Sequence, residues 1–385
     1  MSMPALDATI DDLLRMRDEM GVLSVYVGID PSAEARERPP WQIQLDKDIR
    51  EIRRRVRSER DHARRVAVEK RLTALEPALE ELLDATEDGR GRALFAGVAS
   101  GEVHTFHLQV GLPTGATLGE VAHVLPLLRV DDGAARAIVL VGHDAVRVIE
   151  TRLGSARELR KFDVEPVVYD RAEKKGPVAS NRARGQKSVT QRERWERHVE
   201  ADHHRRLTAV TEALARLARE RGWALGVVAG DPRGAHMLVD ALATAGVPTE
   251  LVDRDLIAAA PAHAVAELTP VLAAAAERRD VALVQSALGA AAAGGRGAAG
   301  LASVLGAFDS SRVERLLLDG ERPPVGAVGA DGRLTVLDGD VSPDPQFADR
   351  LALRAHDTGA PTTVVAGAAG AALADAGGIA AILRG

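Results

Sequence analysis

The chain has 385 residues, a formal net charge of −6 and no cysteine. This length predicts two or three domains, and the lack of cysteine excludes disulfides, thiolate catalysis and cysteine-bound zinc. Because no stretch is apolar enough to cross a bilayer, we expect a soluble, cytoplasmic protein with no membrane partner.

Residues 1–132 are predicted to form an α+β domain. The β-branched run 22–28 predicts a strand, and residues 93–110 predict two strands that turn at a Ser-Gly pair. Between them, the charged and periodic stretch 42–75 predicts one long helix.

That predicted helix is strongly basic, since residues 47–71 hold eleven Lys/Arg against five acids, a net charge of +6. Two interpretations remain open. Either the helix contacts RNA, or its charged face is solvated and contains i,i+4 ion pairs such as Glu51–Arg55.

Residues 133–254 are predicted to form a central domain that opens with a hairpin over 137–152. An amphipathic helix is predicted from about Ser188 to Gly222. Its apolar residues recur near helical spacing, namely Val189, Trp195, Val199, Leu207, Val210, Leu214 and Leu217. The apolar run 223–229 then predicts a buried strand, followed by a turn and another helix.

The loop of this domain, 171–190, begins the second basic segment of the chain. Residues 171–206 hold eleven Lys/Arg against five acids, again +6, and Gly and Pro exclude regular structure at the tip. So concentrated a charge predicts a phosphate-backbone partner, which is RNA and not DNA in our interpretation. The predicted RNA-binding residues are Lys174, Lys175, Arg182, Arg184, Lys187, Arg192, Arg194 and Arg197.

Residues 255–385 are predicted to form a small α/β sandwich because helical and strand patterns alternate. The predicted elements are a helix over 300–308, a strand over 313–318, strands within 326–337, a helix over 347–358 and a strand over 362–366.

The order Lys-Lys-Gly, basic tip, Gly-Gln and basic helix resembles the central domain of the archaeal and eukaryotic class I peptide chain release factors. Residues 137–152 are similar to the opening hairpin of that domain, and 377–384 to the end of the third domain. The resemblance covers 133–385, with the first 130 residues matching only bacterial, Pelota-related members. It implies an α/β and α+β fold in three domains that mimics the shape of tRNA.

The resemblance assigns the tip to Arg184-Gly185-Gln186, where the family has Gly-Gly-Gln. In the family, the glutamine and its glycines let water approach the ester of peptidyl-tRNA at a site walled by RNA, where oriented donors stabilise the developing charge. Gln186 and Gly185 are therefore the predicted catalytic residues. Arg184 departs from the pattern, because it adds bulk and restricts φ.

A second glutamine is an alternative. Gln191 lies four residues before Trp195 and matches relatives whose glutamine follows Gly-X-Ser, although Thr190 takes the place of that serine and has no adjacent glycine. In a third interpretation, both glutamines are ordinary solvated residues of a loop.

The resemblance implies a protein that occupies the ribosomal A site, with rRNA and peptidyl-tRNA as partners. It further implies stop-codon-independent hydrolysis of peptidyl-tRNA, since the codon-reading Asn-Ile-Lys-Ser motif is absent. The alternatives are a non-enzymatic hibernation or protection factor and a general RNA-binding protein. A translational GTPase docks on the third domain in the family and is the further partner that the resemblance suggests.

Other motifs predict no cofactor and no metal. The glycines Gly295, Gly297 and Gly300 have dinucleotide-fingerprint spacing but follow a helical pattern, so we interpret them as a mobile turn. No phosphate loop occurs. His198 and Asp202 stand at i,i+4, but the arginines around them oppose a cation.

Overall fold

The computed structural model describes residues 6–29, 39–83, 90–108, 110–130, 135–152, 155–164, 205–338 and 341–385. The chain divides into two compact units, one made of 1–133 with 276–385 and one of 134–275. The α/β and α+β fold class is confirmed. The division into three domains stays a prediction.

The N-terminal part of the first unit is a four-stranded antiparallel sheet in the order β3-β2-β1-β4. Alternate residues of β1 point into a core that α2, α3 and α4 cover. Both strand predictions are confirmed. The elements are α1 (Leu6–Arg15), β1 (Arg17–Gly28), α2 (Pro40–Ser58), α3 (His62–Ala74), α4 (Glu76–Leu82), β2 (Gly91–Gly97), β3 (Val103–Leu108), β4 (Gly115–Val121) and α5 (Leu125–Val130).

The prediction of one helix over 42–75 is wrong, because that stretch is divided between α2 and α3. After Ser58 the backbone adopts an extended conformation at Glu59, with φ −69° and ψ 148°. Asp61 then caps α3 by accepting the Arg64 N–H at 3.0 Å. A carboxylate that satisfies an orphan donor favours a new helix start, and the apolar periodicity continues across the break and hides it.

The C-terminal part of the first unit contains a four-stranded sheet in the order β10-β15-β11-β14. The helices and strands predicted between 300 and 366 are confirmed. The elements are α8 (Pro261–Ala292, divided between the units at 275/276), β10 (Gly297–Ala299), α9 (Leu301–Asp309), β11 (Val313–Asp319), β12 (Ala327–Val328), β13 (Leu334–Thr335), α10 (Phe347–Asp357), β14 (Thr362–Val365), α11 (Gly367–Ala372), a 3-10 turn (Ala374–Ala376) and β15 (Ile379–Leu383).

The glycine triplet in this part is not simply a turn, so the prediction of a mobile turn is wrong for two of its members. Gly297 begins β10, where it pairs with Ile382. Gly300 is the N-cap of α9 at φ +82°, a backbone conformation that favours glycine. Gly295 alone lies in the turn.

A buried carboxylate joins the two parts of the first unit. The Asp349 side chain is 2% exposed, and its Oδ1 accepts the N–H groups of Val124 (2.9 Å) and Leu125 (3.1 Å) at the start of α5. Its Oδ2 lies 2.7 Å from His123 Nδ1. Asp349 therefore caps a helix whose N-terminal donors have no intrahelical partner.

Gln346 makes a second buried contact between the same two parts. Its Nε2 donates to the Val121 carbonyl at 2.6 Å, and its Oε1 accepts the Val121 N–H at 3.3 Å. The amide lies against Gly119, where an added Cβ would overlap it. Gly119 is therefore required by packing, because only a residue without a side chain leaves room for the glutamine.

The second unit is built on a five-stranded sheet in the order β7-β6-β5-β8-β9. The predicted hairpin is confirmed as antiparallel β5 and β6, and β5 pairs in parallel with β8, which confirms the buried strand. The elements are β5 (Arg136–Val141), β6 (Ala145–Arg152), β7 (Ser155–Asp163), α6 (205–221), β8 (Leu225–Gly230), α7 (Pro232–Thr244) and β9 (Thr249–Val252).

The C-terminal end of α6 is fixed to the sheet by Glu150 of β6. Glu150 accepts two hydrogen bonds from the Arg221 guanidinium and one from Trp223 Nε1 at 2.9 Å. Burial would raise the pKa of Glu150, but the hydrogen bonds from Arg221 and Trp223 outweigh it and hold the pKa below its ordinary value. Glu150 is therefore a charged anchor of the helix.

We expect Gly119→Ala to lower the free energy of unfolding of the first unit by about 1–3 kcal/mol, because the new methyl group overlaps the Gln346 amide. In a Gln346→Ala background the same change should cost less than about 1 kcal/mol. Hydrogen exchange of the β1 and β4 amides in denaturant measures the free energy of unfolding of wild type, the two single variants and the double variant. Additive effects of the two substitutions would contradict the packing explanation.

We expect Glu150→Gln to destabilise the second unit by about 1–2 kcal/mol at pH 7, because Arg221 then loses the charged acceptor of its hydrogen bonds. A carboxylate with a lowered pKa contributes stability above its unfolded pKa and loses it as pH falls through the folded pKa. The cost of the substitution should therefore shrink at about pH 3. Hydrogen exchange of the β5 and β8 amides at both pH values tests this, and an equal cost at both would refute it.

Candidate nucleic-acid interface

The predicted tip lies outside the described residues. This applies to the predicted catalytic residues Gly185 and Gln186 and to the alternative Gln191. It applies also to the predicted RNA-binding residues Lys174, Lys175, Arg182, Arg184, Lys187, Arg192, Arg194 and Arg197, and to Trp195, His198 and Asp202. Their assignments stay predictions, and the structure describes the scaffold on both sides of them.

Both flanks of this segment are held in the core of the second unit. Val164, directly after β7, is fully buried, and its N–H donates to the Asp144 carbonyl at 2.8 Å. Leu207, near the start of the described part of α6, is 4% exposed and belongs to the same cluster as Val164. The fold therefore fixes where the chain leaves the sheet and where it returns to the core.

The predicted amphipathic helix is confirmed over 205–221, and its predicted part from 188 to 204 lies outside the described residues. Leu207, Val210 and Leu214 are buried on one face, and Leu217 packs against the same cluster while partly exposed. The helix ends at Gly222, whose φ of +63° favours glycine, as the sequence predicts. This buried face and the Glu150 anchor hold α6 to the sheet.

Sequence reasoning missed β7, which precedes the predicted tip in the sequence. It is the edge strand of the sheet, and most of its side chains are exposed. Its one Glu, Glu158, forms a bidentate pair with Arg147 at 2.6 and 3.1 Å, and the hydrogen bond from Arg147 lowers the pKa of Glu158. Glu158 is therefore paired, and Arg157, Arg160 and Lys161 outnumber Asp163, the other acid of the strand.

Several basic residues of α2 and α3 bind the fold itself. Arg55, Arg64 and Arg71 donate to backbone carbonyls of β4, β1 and β2 at 2.7, 3.0 and 3.0 Å. The predicted Glu51–Arg55 pair is wrong, since Glu51 pairs with Arg54 one residue earlier. Arg55 points instead to β4, where a carbonyl accepts its guanidinium.

Two kinds of site are missing from the residues that the structure describes. No three His, Asp or Glu side chains in those ranges are grouped so as to hold a metal ion. Among the described helices, none has the length and apolar character needed to cross a bilayer. Neither finding extends to 165–204.

One family model matches part of the chain. Residues 134–269 match the family model described as bacterial archaeo-eukaryotic release factor family 5. No curated protein matches the chain.

Solved structures give long but divergent alignments. The archaeal translation termination factor aRF1 is 17% identical, with 99% of this chain and 97% of that one covered and a TM-score of 0.25. A ribosome-bound archaeal Pelota is 15% identical, with 98% and 94% covered and a TM-score of 0.41. A termination-like factor of S. cerevisiae involved in RNA quality control is 12% identical, with 76% and 78% covered and a TM-score of 0.40.

The family match begins next to β5 and extends past β9, so it includes the whole sheet of the second unit and the segment between β7 and α6. The second unit of the chain therefore matches bacterial archaeo-eukaryotic release factor family 5 over residues 134–269.

Proposed function

We propose that this protein binds the ribosomal A site and hydrolyses peptidyl-tRNA without a stop codon, as in the rescue of stalled ribosomes. The observation that carries the proposal is that the family match over 134–269 includes a +6 segment with Gly185-Gln186. The fold supports it, since Val164 and Leu207 hold both flanks of this segment in one core.

The chemistry would be carried by the tip. Hydrolysis of the ester needs a water positioned against the carbonyl and donors aimed at the developing oxyanion. Gln186 would supply polar groups for that water, and Gly185 would let the backbone come close to RNA because it has no Cβ. No cofactor or metal takes part in the proposed reaction.

Arg184 favours a second function. Where the family has its first glycine, a long charged side chain adds bulk and a phosphate-binding group. A tip of this kind suits a non-enzymatic factor that occupies the peptidyl transferase centre, as in hibernation or protection of idle ribosomes. The two functions share the binding site and differ in whether peptide is released.

The proposed partners follow from either function. They are rRNA and peptidyl-tRNA in the cytoplasm, with a translational GTPase as a further partner of residues 255–385.

We expect Arg192→Glu with Arg194→Glu to weaken ribosome binding at least tenfold at about 0.1 M salt, because two phosphate contacts are lost. Each lost contact should also reduce the slope of log binding constant against log salt concentration by roughly 0.7–0.9. Co-sedimentation with purified ribosomes across a potassium chloride series measures this. Arg216→Glu with Arg219→Glu, on the exposed face of α6, makes the same charge change and is the control. Equal loss in both pairs would indicate a general charge effect instead of a contact of Arg192 and Arg194.

We expect Gln186→Ala to lower the rate of peptide release by about 100-fold or more, as is typical of losing one oriented donor, with ribosome binding unchanged. Gly185→Ala should lower it similarly, because a Cβ would strain the backbone or meet RNA. Arg184→Gly should preserve or raise release. The assay follows labelled peptide released from peptidyl-tRNA on purified ribosomal complexes with and without a codon in the A site.

The same assay separates the alternatives. If wild type releases no peptide and Arg184→Gly creates activity, the protein is an occupying factor. If Gln191→Ala abolishes release while Gln186→Ala does not, the catalytic glutamine is Gln191.

A further inference from the structure

An open cleft of about 640 Å³ lies along α3 of the first unit, and we call it the α3 cleft. It is bordered by side chains from α3 and from the end of α2, namely Arg57, His62, Arg65, Val66, Glu69, Lys70 and Thr73. The α3 residues stand three or four apart, so they form one face of the helix. From His62 to Thr73 this face extends about 16 Å at the rise of an α-helix.

The α3 cleft carries more positive than negative charge. Arg57, Arg65 and Lys70 face one carboxylate, that of Glu69. Glu69 is itself shared, since it lies 3.1 Å from Arg57 and 3.6 Å from Arg53. Arg53 also lies 3.8 Å from Glu76. One carboxylate between two guanidinium groups does not neutralise the cleft.

Two of these cations are held in position. Glu69 fixes the Arg57 Nε, yet the side chain of Arg57 is 72% exposed and keeps its other donors toward solvent. Arg65 donates to the Glu59 carbonyl at 2.5 Å and lies 3.1 Å from His62 Nδ1. Guanidinium groups that are already ordered lose less conformational entropy when they bind an anion.

The rest of the basic surface of α2 and α3 is different. Arg55, Arg64 and Arg71 donate to backbone carbonyls inside the fold, and Arg54 pairs with Glu51. The net charge of +6 over residues 47–71 is therefore not spread evenly around the helices. Lys47, Arg50 and Arg60 are exposed as well but lie outside the cleft, whose cations border one face of α3.

We propose that the α3 cleft binds the sugar-phosphate backbone of RNA. Three cations along a helix face about 16 Å long suit a linear polyanion with evenly spaced charges. Val66, 54% exposed on that face, offers an apolar contact that suits a ribose. The identity of that RNA as ribosomal rests on the proposed function, and the cleft would be a contact separate from the tip.

The test neutralises two exposed cations of the cleft, Arg57→Gln with Lys70→Gln. The matched control, Lys47→Gln with Arg54→Gln, makes the same charge change on exposed residues of α2 that lie outside the cleft. All four positions are exposed and glutamine is a good helix former, so both variants should fold with unchanged melting temperatures. Each is measured for binding to ribosomes by co-sedimentation and to an RNA duplex of about 20 base pairs by fluorescence anisotropy, across potassium chloride.

We expect the cleft variant to bind both targets about tenfold more weakly at about 0.1 M salt. The slope of log binding constant against log salt concentration should fall by roughly 1.4–1.8, the change expected for the loss of two phosphate contacts. The control should stay within about twofold of wild type. Equal behaviour of the two variants would overturn the proposal. Loss of ribosome binding with unchanged duplex binding would also overturn it, because the cleft would then contact a ribosomal protein.

The outcomes separate this proposal from the proposed function. If wild type does not bind ribosomes but the cleft variant loses duplex binding, the cleft binds RNA and the ribosomal function fails. If wild type binds ribosomes and the cleft variant binds both targets as the control does, the function stands and the cleft proposal fails.

Discussion

The first unit depends on the satisfaction of one buried carboxylate. Asp349 is almost fully buried, and a charge in such a place is costly unless donors surround it. Val124, Leu125 and His123 provide those donors from the N-terminal part of the unit. Burial, together with the charge of Asp349, raises the pKa of Tyr26 well above its ordinary value, and the Tyr26 hydroxyl donates to the His123 carbonyl. The segment that joins β4 to α5 is thus held by groups that lie far apart in sequence.

Local pattern predicted much of this fold. The strand over 313–319 and the helix over 347–357 are regular, periodic and bounded by turn residues, so the sequence alone was enough to find them. The break after Ser58 was hidden because apolar periodicity continues on both sides of it. Strand β7 was missed because an exposed edge strand has little apolar alternation. Asp349 and Gln346 each lie 225 residues from a partner, and no local pattern indicates such contacts.

The candidate sites divide in the same way. The tip was predicted from a concentration of charge and from family resemblance, which are properties of the sequence and need no coordinates. The α3 cleft required the structure, because a count of charges over residues 47–71 does not reveal which guanidinium groups the fold itself uses. Arg54 and Arg55 are adjacent in sequence but make different contacts. Arg54 pairs with Glu51 on the surface, and Arg55 donates to a β4 carbonyl.

The parallel pairing of β5 with β8 has a consequence for how this chain can tolerate changes in length. Ile138 pairs with Val227, so residues 139–226, including the whole segment between β7 and α6, form the loop that must close before the central sheet exists. Closing such a loop costs free energy that grows only with the logarithm of its length, about 0.6 kcal/mol for each doubling. Insertions and deletions between the fixed flanks therefore change stability little, and an insertion slows folding only slightly. Selection can remodel the tip without first having to reinforce the sheet that carries it.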